Sequence, residues 1–166
     1  MIVLVCGLPG SGKSFFAEKL SIRINALYLS SDQVRIALNA LGKYSPEDKL
    51  MVYREMIRHA ATAIEAREDV VVDATFFHHT FRELFVRLAE GYNQAIHVIE
   101  VIADEELIRS RLSRPRKFSE ADFQAYQSVR DDFEEITMPH LILESTDYNI
   151  NVMLAHAEKY LYRGNA

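Results

Sequence analysis

The chain has 166 residues, a formal net charge of −5 and one cysteine. This length favours a single domain over residues 1–166, and one cysteine excludes a disulfide framework within the chain. The acidic balance and the absence of a long apolar run exclude a general nucleic-acid binder and a membrane-spanning helix, so we predict a cytoplasmic protein with no membrane partner.

The first predicted element is an apolar strand that leads into a glycine-rich loop. Residues 1–6 read MIVLVC, which is typical of a buried parallel strand, and residues 13–24 show helical spacing. Between them GLPGSGKS fits a phosphate-binding loop at every required position, although a glycine-rich turn could match by chance. Backbone N–H groups of such a loop surround nucleotide phosphates, its lysine faces the β- and γ-phosphates, and its hydroxyl joins the Mg²⁺ shell. The predicted cofactor-binding residues are Gly7, Leu8, Pro9, Gly10, Ser11, Gly12, Lys13 and Ser14.

The second predicted strand, 26–30, is followed directly by Asp32 and Arg35. They lie three positions apart in the first turn of a helix and therefore share a face. In an open α/β sheet that turn lies at the same edge as the phosphate-binding loop. Asp32 could there accept a proton from an attacking hydroxyl, while Arg35 could hold the acceptor or the transferred phosphoryl group. The alternative is that Asp32 only stabilises the helix dipole.

The third predicted strand, 69–75, carries Asp73, which stands where an acidic residue commonly holds Mg²⁺. Together with Ser14 it forms the predicted metal site. The alternative is a carboxylate that caps a helix. Ala74 stands where ATPase motors commonly carry a glutamate that activates water, so the sequence disfavours a hydrolase. The base-reading Asn-Lys-x-Asp motif of GTPases is also absent from the sequence.

Residues 76–79 read Phe-Phe-His-His. Two adjacent histidines could indicate a metal site, but no carboxylate or cysteine lies at ligand spacing from them in the sequence. We therefore predict that they lie in a solvent-facing loop or at a helix start. The two phenylalanines could stack on a base or an aromatic substrate, but we expect them to pack on neighbouring helices. We also expect Tyr44 and Tyr53 to serve packing.

A basic stretch ends the predicted helix 104–114 and continues past a proline. Its guanidinium groups could close over the phosphates as a lid and neutralise charge in the transition state. Cations at a helix C-terminus are also favourable without any ligand. The residues of this stretch are Arg109, Arg111, Arg114, Arg116 and Lys117.

The remaining elements complete an alternation of strands and helices, which predicts an α/β fold with a parallel sheet. Capping patterns mark helix starts after Ser30, Ser45 and Ser119. The other strands are predicted at 95–102 and 140–144. Helices are predicted at 13–24, 31–40, 46–67, 79–90, 104–114, 119–134 and 149–162.

The ordered series GLPGSGKS, SSDQVR, VVVDATF, RSRLSRPR and SEADF resembles small ATP-binding P-loop kinases related to the polynucleotide 5′-kinase domain, zeta-type toxins and chloramphenicol phosphotransferase. The resemblance covers about residues 1–135. It implies a P-loop NTPase three-layer sandwich whose five-stranded parallel sheet has the order 2-3-1-4-5. Phe15 departs from the Thr or Ser common after the loop, and Ala-Thr-Phe-Phe at 74–77 departs from the Thr-Asn of polynucleotide kinases.

The resemblance also implies roles for individual residues. Lys13 and Ser14 would handle ATP and Mg²⁺, Asp32 would be the general base, and Arg35 would position the acceptor. The lid arginine would be Arg111 or Arg114. The predicted catalytic residues are therefore Lys13, Asp32, Arg35, Arg111 and Arg114.

We predict a kinase that transfers the γ-phosphoryl group of ATP to a hydroxyl of a small molecule or of a polynucleotide 5′-end, with ATP and Mg²⁺ as cofactors. Nucleic acid enters this prediction only as a 5′-end substrate. One alternative is an ATP-binding regulatory module without efficient transfer, and another is a toxin kinase.

Overall fold

The computed structural model describes residues 1–114 and 121–163, in which strands and helices alternate. The strands are β1 (Ile2–Cys6), β2 (Leu27–Ser30), β3 (Val70–Asp73), β4 (Ile96–Ile102) and β5 (Leu141–Glu144). The helices are α1 (Lys13–Arg23), α2 (Ser31–Ala37), α3 (Pro46–Glu65), α4 (His79–Gly91), α5 (Glu105–Leu112), α6 (Phe123–Asp131) and α7 (Ile150–Leu161).

The five strands form one parallel sheet in the order β2-β3-β1-β4-β5. Ile2 of β1 stands opposite Val70 on one side and Ile96 on the other, so β1 is the central strand. All five of its residues are buried, because helices cover both faces of a parallel sheet. The predicted fold class and strand order are confirmed.

Alternate residues of β1 serve two separate cores. Ile2, Leu4 and Cys6 face a core that includes residues of α3 and α4. Val3 and Val5 face the opposite core, which α1 and α7 cover. The period of two along a strand thus produces the three-layer sandwich. Cys6 is fully buried, and burial raises the pKa of its thiol far above the ordinary value.

The register of the sheet brings the functional segments to one edge. Asp73, the last residue of β3, stands opposite Val5 of β1 and Ser30 of β2. Since the three strands are parallel, the segments that follow them all leave at the same edge. These segments are the phosphate loop, here residues 7–14, the first turn of α2, and the connection from β3 to α4.

The predicted capping residues that the structure describes, Ser30 and Ser45, differ in their hydrogen bonds. Ser45 and Asp48 form the predicted reciprocal capping box at the start of α3. Ser30 is the N-cap of α2, but its side chain makes no capping hydrogen bond to any described residue. The helix predicted at 119–134 begins only at Phe123, where the Asp122 side chain accepts the Ala125 N–H at 2.8 Å. Ser119 lies outside the described residues.

None of the helices in the described ranges, 1–114 and 121–163, has the length and apolarity needed to cross a membrane.

Candidate active site

The phosphate loop connects β1 to α1 through glycines with left-handed backbone. Gly7 has φ 147°, and a Cβ there would come within 2.4 Å of the Val101 carbonyl oxygen. Gly12, the N-cap of α1, has φ 92°, and its Cβ would come within 2.9 Å of Ser145 Oγ. A side chain at either position is therefore strained twice, by backbone conformation and by space. The loop keeps the compact shape that turns its N–H groups toward one concavity.

Lys13 and Ser14 open α1 beside the end of β3. Lys13 is buried, with 9% of its surface exposed, while Asp73 is 2% exposed. Asp73 Oδ2 accepts a hydrogen bond from the Tyr28 hydroxyl at 2.8 Å. Its Oδ1 finds no hydrogen-bond partner among residues 1–114 and 121–163. A buried carboxylate oxygen with no partner is costly, so Asp73 is suited to a ligand that binds there.

The electrostatic surroundings of Asp73 fit a hard divalent cation. Burial raises the pKa of Asp73, and this effect is opposed first by the charge of Lys13 and then by the hydroxyls of Ser14 and Tyr28. The pKa of Tyr28 is also raised, by burial and then by the Asp73 charge, so the phenol stays protonated and donates. A carboxylate and a hydroxyl are oxygen ligands that Mg²⁺ accepts. Ser14 and Asp73 are thus the residues that could hold Mg²⁺.

Two of the cavities that border the phosphate loop reach Lys13. The first cavity, of about 290 Å³, is lined by side chains of α2, α3, α6 and the connection after β3. The second cavity, of about 470 Å³, lies between the loop, α5 and the segment after β5, with Ser14 and Arg114 in its lining. Of the described residues, Lys13 alone lines both. The positively charged Lys13 side chain therefore lies where molecules bound in the two cavities would meet.

Asp32 and Arg35 both line the first cavity, at the sheet edge that the sequence predicts. Asp32 is half-buried, and Arg35 is 8% exposed. The Arg35 guanidinium donates to the Lys43 carbonyl at 2.5 Å and lies 4.6 Å from the ring centre of Tyr44. These contacts fix one edge of the guanidinium against the connection from α2 to α3.

Four further residues of the first cavity are not among the predicted site residues. They are Tyr44, Lys49, Tyr53 and Phe77. Lys49 Nζ lies 4.7 Å from the ring centre of Phe77, and the Tyr53 hydroxyl accepts the Phe76 N–H at 3.2 Å. Phe76 itself is fully buried and packs edge-on against Phe85, as expected for a packing residue. A usable signal for Lys49 and Tyr53 was their spacing of four on α3, which puts both on one face.

Arg111 and Arg114 line the second cavity, but they differ in their contacts. Arg111 already has partners, because its guanidinium donates to Ser145 Oγ at 2.8 Å and pairs with Asp147 at 3.1 Å. The same guanidinium approaches the carbonyls of Gly10 and Ser11 at 3.4 and 3.3 Å. Arg111 therefore has an anionic partner within the chain itself.

Arg109 of the basic stretch contacts α5 and α6 and is not part of the lining of the second cavity. Arg109 pairs with Glu105 at 3.6 Å and lies 3.8 Å from the ring centre of Phe123. Arg116 and Lys117 lie outside the described residues. Within the part of the stretch that the structure describes, Arg111 and Arg114 are the residues placed at the second cavity.

The structure corrects the prediction that no carboxylate accompanies His78 and His79. Glu134, from the connection between α6 and β5, lies 3.1 Å from His78 Nδ1 and 2.7 Å from His79 Nδ1. The separation of 55 residues between His79 and Glu134 hid this cluster from any local pattern.

Comparison with known proteins shows the family. The pattern of the AAA_33 family, described as an AAA domain, matches residues 2–136. "Uncharacterized protein Rv2004c" of Mycobacterium tuberculosis is 28% identical over 127 residues, which cover 66% of this chain. A protein of Mycobacterium bovis, "Uncharacterized protein Mb2027c", matches equally. The chain spans about a quarter of the length of these relatives, 26%.

Solved structures with the same fold include two kinases and the protein Kti12. The Mycobacterium tuberculosis APS kinase CysC, bound to AMPPNP and APS, aligns with a TM-score of 0.73 at 21% identity over 96% of each chain. A gluconokinase from Sinorhizobium meliloti aligns with a TM-score of 0.69 at 17% identity over 99% of this chain and 97% of its own. Chaetomium thermophilum Kti12 with ADP-AlF3 gives 0.71 at 17% identity over 96% and 98%. The narrower resemblance to polynucleotide 5′-kinase stays a prediction.

Proposed function

This chain belongs to the AAA_33 family of AAA domains, and we propose that it is an ATP-dependent kinase that transfers the γ-phosphoryl group to a hydroxyl of a small molecule. The observation that carries this proposal is the position of Lys13 between two cavities. A hydrolase or a simple nucleotide switch requires one cavity beside the phosphate loop, whereas transfer between two molecules requires two. The structures of kinases with this fold support the same function.

ATP would occupy the second cavity, with its phosphates on the phosphate loop. The loop N–H groups and Lys13 hold the β- and γ-phosphates. Ser14 and Asp73 would hold Mg²⁺, which supplies positive charge against the phosphate oxygens. Arg114 lines this cavity and is the lid candidate, while Arg111 contacts the Ser11 carbonyl of the loop. We propose that Arg114 neutralises charge that develops during transfer.

The acceptor would occupy the first cavity, beside Asp32. The Asp32 carboxylate accepts the proton of the acceptor hydroxyl as that oxygen attacks the γ-phosphorus. Arg35, held by Tyr44 and the Lys43 carbonyl, keeps the acceptor in position. The cavity walls exclude water, which would otherwise compete as the acceptor.

The lining of the first cavity indicates a small anionic acceptor. Its described residues include three cations, Lys13, Arg35 and Lys49, and one carboxylate, Asp32. This excess of positive charge is local, because the whole chain carries −5. Tyr44, Tyr53 and Phe77 add flat apolar walls. A volume of about 290 Å³ suits a compact molecule, and we propose one that carries a carboxylate, sulfate or phosphate group besides its hydroxyl.

A transfer assay tests this proposal. The protein is incubated with Mg²⁺, γ-labelled ATP and candidate acceptors. The acceptors are matched pairs, in which a neutral sugar is compared with its acid and a nucleoside with its monophosphate. A 5′-hydroxyl oligonucleotide is tested as well. We expect label in an anionic small molecule and less in its neutral counterpart. Label in the oligonucleotide alone would support the alternative in which the acceptor is a polynucleotide 5′-end.

Two other outcomes would support the remaining alternatives. Binding of Mg-ATP without transfer to any acceptor would favour a regulatory ATP-binding module. Growth arrest on expression, abolished by Asp32→Asn, would favour a toxin kinase. If calorimetry detects no binding of Mg-ATP at millimolar concentration, the nucleotide site itself is refuted. We propose a cytoplasmic location because ATP is abundant there.

A further inference from the structure

A cluster of metal-ligating side chains lies outside the site described so far. His78 precedes α4, His79 begins it, and Glu134 follows α6. The two imidazole Nδ1 atoms lie 3.1 and 2.7 Å from the two carboxylate oxygens of Glu134. One ligand atom from each residue can be chosen so that all lie within 4.8 Å of one another. Ligands of a tetrahedral Zn²⁺ stand about 3.4 Å apart, so only small rotations of exposed side chains are needed.

The backbone around the cluster is held in place without the imidazole rings. The Glu134 N–H donates to the Phe77 carbonyl at 2.8 Å. Arg82, which is 4% exposed, donates to the Phe76 carbonyl at 2.6 Å and to the Glu135 carbonyl at 3.1 Å. The two chain segments that supply ligands are therefore joined by a buried guanidinium and a backbone hydrogen bond, and a metal would not have to assemble them.

The carboxylate is also held by a backbone contact. The backbone N–H of His79 donates to Glu134 Oε2 at 2.5 Å, which keeps the carboxylate beside the two imidazole rings. An anionic oxygen beside two imidazole nitrogens is a donor set found in zinc sites that keep an open coordination position. Imidazole nitrogens favour borderline transition metals over Mg²⁺ and Ca²⁺, so this cluster and the Ser14 and Asp73 pair suit different ions.

We propose that His78, His79 and Glu134 bind one Zn²⁺ ion, with water in the remaining position. The Nδ1 lone pairs coordinate the metal, and each ring keeps its proton on Nε2. The ion joins the connection after β3 to the connection after α6. Phe77, whose ring lies 5.6 Å from that of His78, also lines the first cavity. Zinc would thus stabilise one wall of that cavity, whatever molecule the cavity accepts.

The test is a zinc titration of untagged, nucleotide-free protein against a chromophoric chelator of micromolar affinity. We expect one Zn²⁺ per chain for the parent protein and a rise in melting temperature with added zinc. His79→Ala, His78→Ala and Glu134→Gln should each weaken zinc affinity at least about tenfold, because even loss of an outer contact to a ligand costs about 10- to 100-fold.

A matched control separates the cluster from an ordinary histidine and glutamate pair. His59 Nε2 lies 3.2 Å from Glu55 Oε1 on α3, so this pair offers two ligands instead of three. His59→Ala should bind zinc like the parent protein. Equal melting temperatures in chelator would show that the variants are folded. The proposal is overturned if the parent protein does not compete with the chelator, or if the His78→Ala/His79→Ala double variant binds zinc as tightly as the parent.

Discussion

Asp32 occupies a position where a carboxylate can act in two ways. It stands in the first turn of α2, where its negative charge interacts favourably with the positive end of the helix dipole. It also lines the first cavity together with Lys13. The dipole effect concerns stability, whereas the base role concerns only the rate of transfer, so a single substitution separates them.

Asp32→Asn should leave folding and ATP affinity nearly unchanged while single-turnover transfer falls by about 10²- to 10⁴-fold, the usual size of a general-base contribution. If Asp32 serves the helix alone, stability should fall by about 0.3–1 kcal/mol and transfer should continue at the parental rate. Glu47→Gln is the control, because Glu47 lies in the first turn of α3 and its change should affect stability alone.

Asp73 combines burial with an oxygen that has no partner in the described residues. Its raised pKa means that the folded chain holds the proton more tightly than the unfolded chain does. The contribution of Asp73 to stability is therefore present below the ordinary carboxyl pKa and is lost as the pH rises through the folded pKa. Without a cation, ionisation of this buried carboxylate reduces stability.

Asp73→Asn should therefore be more stable than the parent protein at about pH 8 in Mg²⁺-free buffer, and this advantage should shrink toward about pH 4. Denaturant unfolding of both proteins across that range measures the effect. Mg-ATP affinity should fall in the same variant, because one metal ligand is lost. A stability difference that does not change with pH would show that Asp73 does not titrate in this window.

At the scale of elements, α5 contacts the phosphate loop through the Arg111 side chain. Arg111 approaches two loop carbonyls, and Ser145 after β5 donates its hydroxyl to the Ser11 carbonyl at 2.5 Å. The loop is thus bound to two neighbouring segments of the chain. Arg114 lies two residues beyond the end of α5 and lines the second cavity.

Arg111→Ala and Arg114→Ala should consequently have different effects. Arg111→Ala should lower the free energy of unfolding by about 1–3 kcal/mol and weaken ATP binding, because the loop carbonyls lose a charged donor. Arg114→Ala should lower turnover more than ATP affinity and leave stability nearly unchanged. Unfolding experiments, calorimetry and single-turnover assays on both variants distinguish the two roles.

Asp147→Asn provides the control for Arg111, since it removes the ion pair and keeps the contacts to the loop. Because Asp147 is exposed, its loss should cost less than about 1 kcal/mol. An Arg111→Ala variant as stable as the parent, with unchanged ATP affinity, would refute a structural role for this arginine.

The elements themselves were predictable because their signals are local. The buried strands are continuous apolar runs, and the Ser45 capping box lies within four residues of sequence. The start of α6 was predicted less well: the described helix begins at Phe123 with the Asp122 side chain as its cap, whereas the prediction relied on Ser119. Several residues of one segment can suit a cap, and a local pattern does not decide among them.

The candidate site was predictable only in part for the same reason. The phosphate loop is one continuous motif, and strand parallelism brings Asp32 and Asp73 to its edge. Lys49 and Tyr44 reach the first cavity only through the path of the chain between α2 and α3. Glu134 reaches the histidines through a contact across 55 residues. Contacts between residues so far apart in the sequence follow from the packing of whole helices and strands.

At the scale of the whole molecule, nucleotide binding and folding are linked through the central strand. The phosphate loop extends β1, whose five residues are buried between both cores. A ligand that binds the folded loop therefore stabilises the entire cooperative unit, which we predict to be a single domain over residues 1–166. Thermal unfolding consequently reports the occupancy of the loop.

Mg-ATP at 100 times its dissociation constant should stabilise the folded chain by about 2.7 kcal/mol, which corresponds to a rise of about 5 to 11 °C in melting temperature for a domain of this size. Lys13→Ala should abolish most of this rise, because it removes the cation expected at the β- and γ-phosphates. Lys159→Ala, on the exposed face of α7, should retain the full shift and thereby control for a general loss of positive charge. A Lys13→Ala protein with the parental shift and parental transfer rate would place the phosphates elsewhere and remove the basis for the two-cavity arrangement.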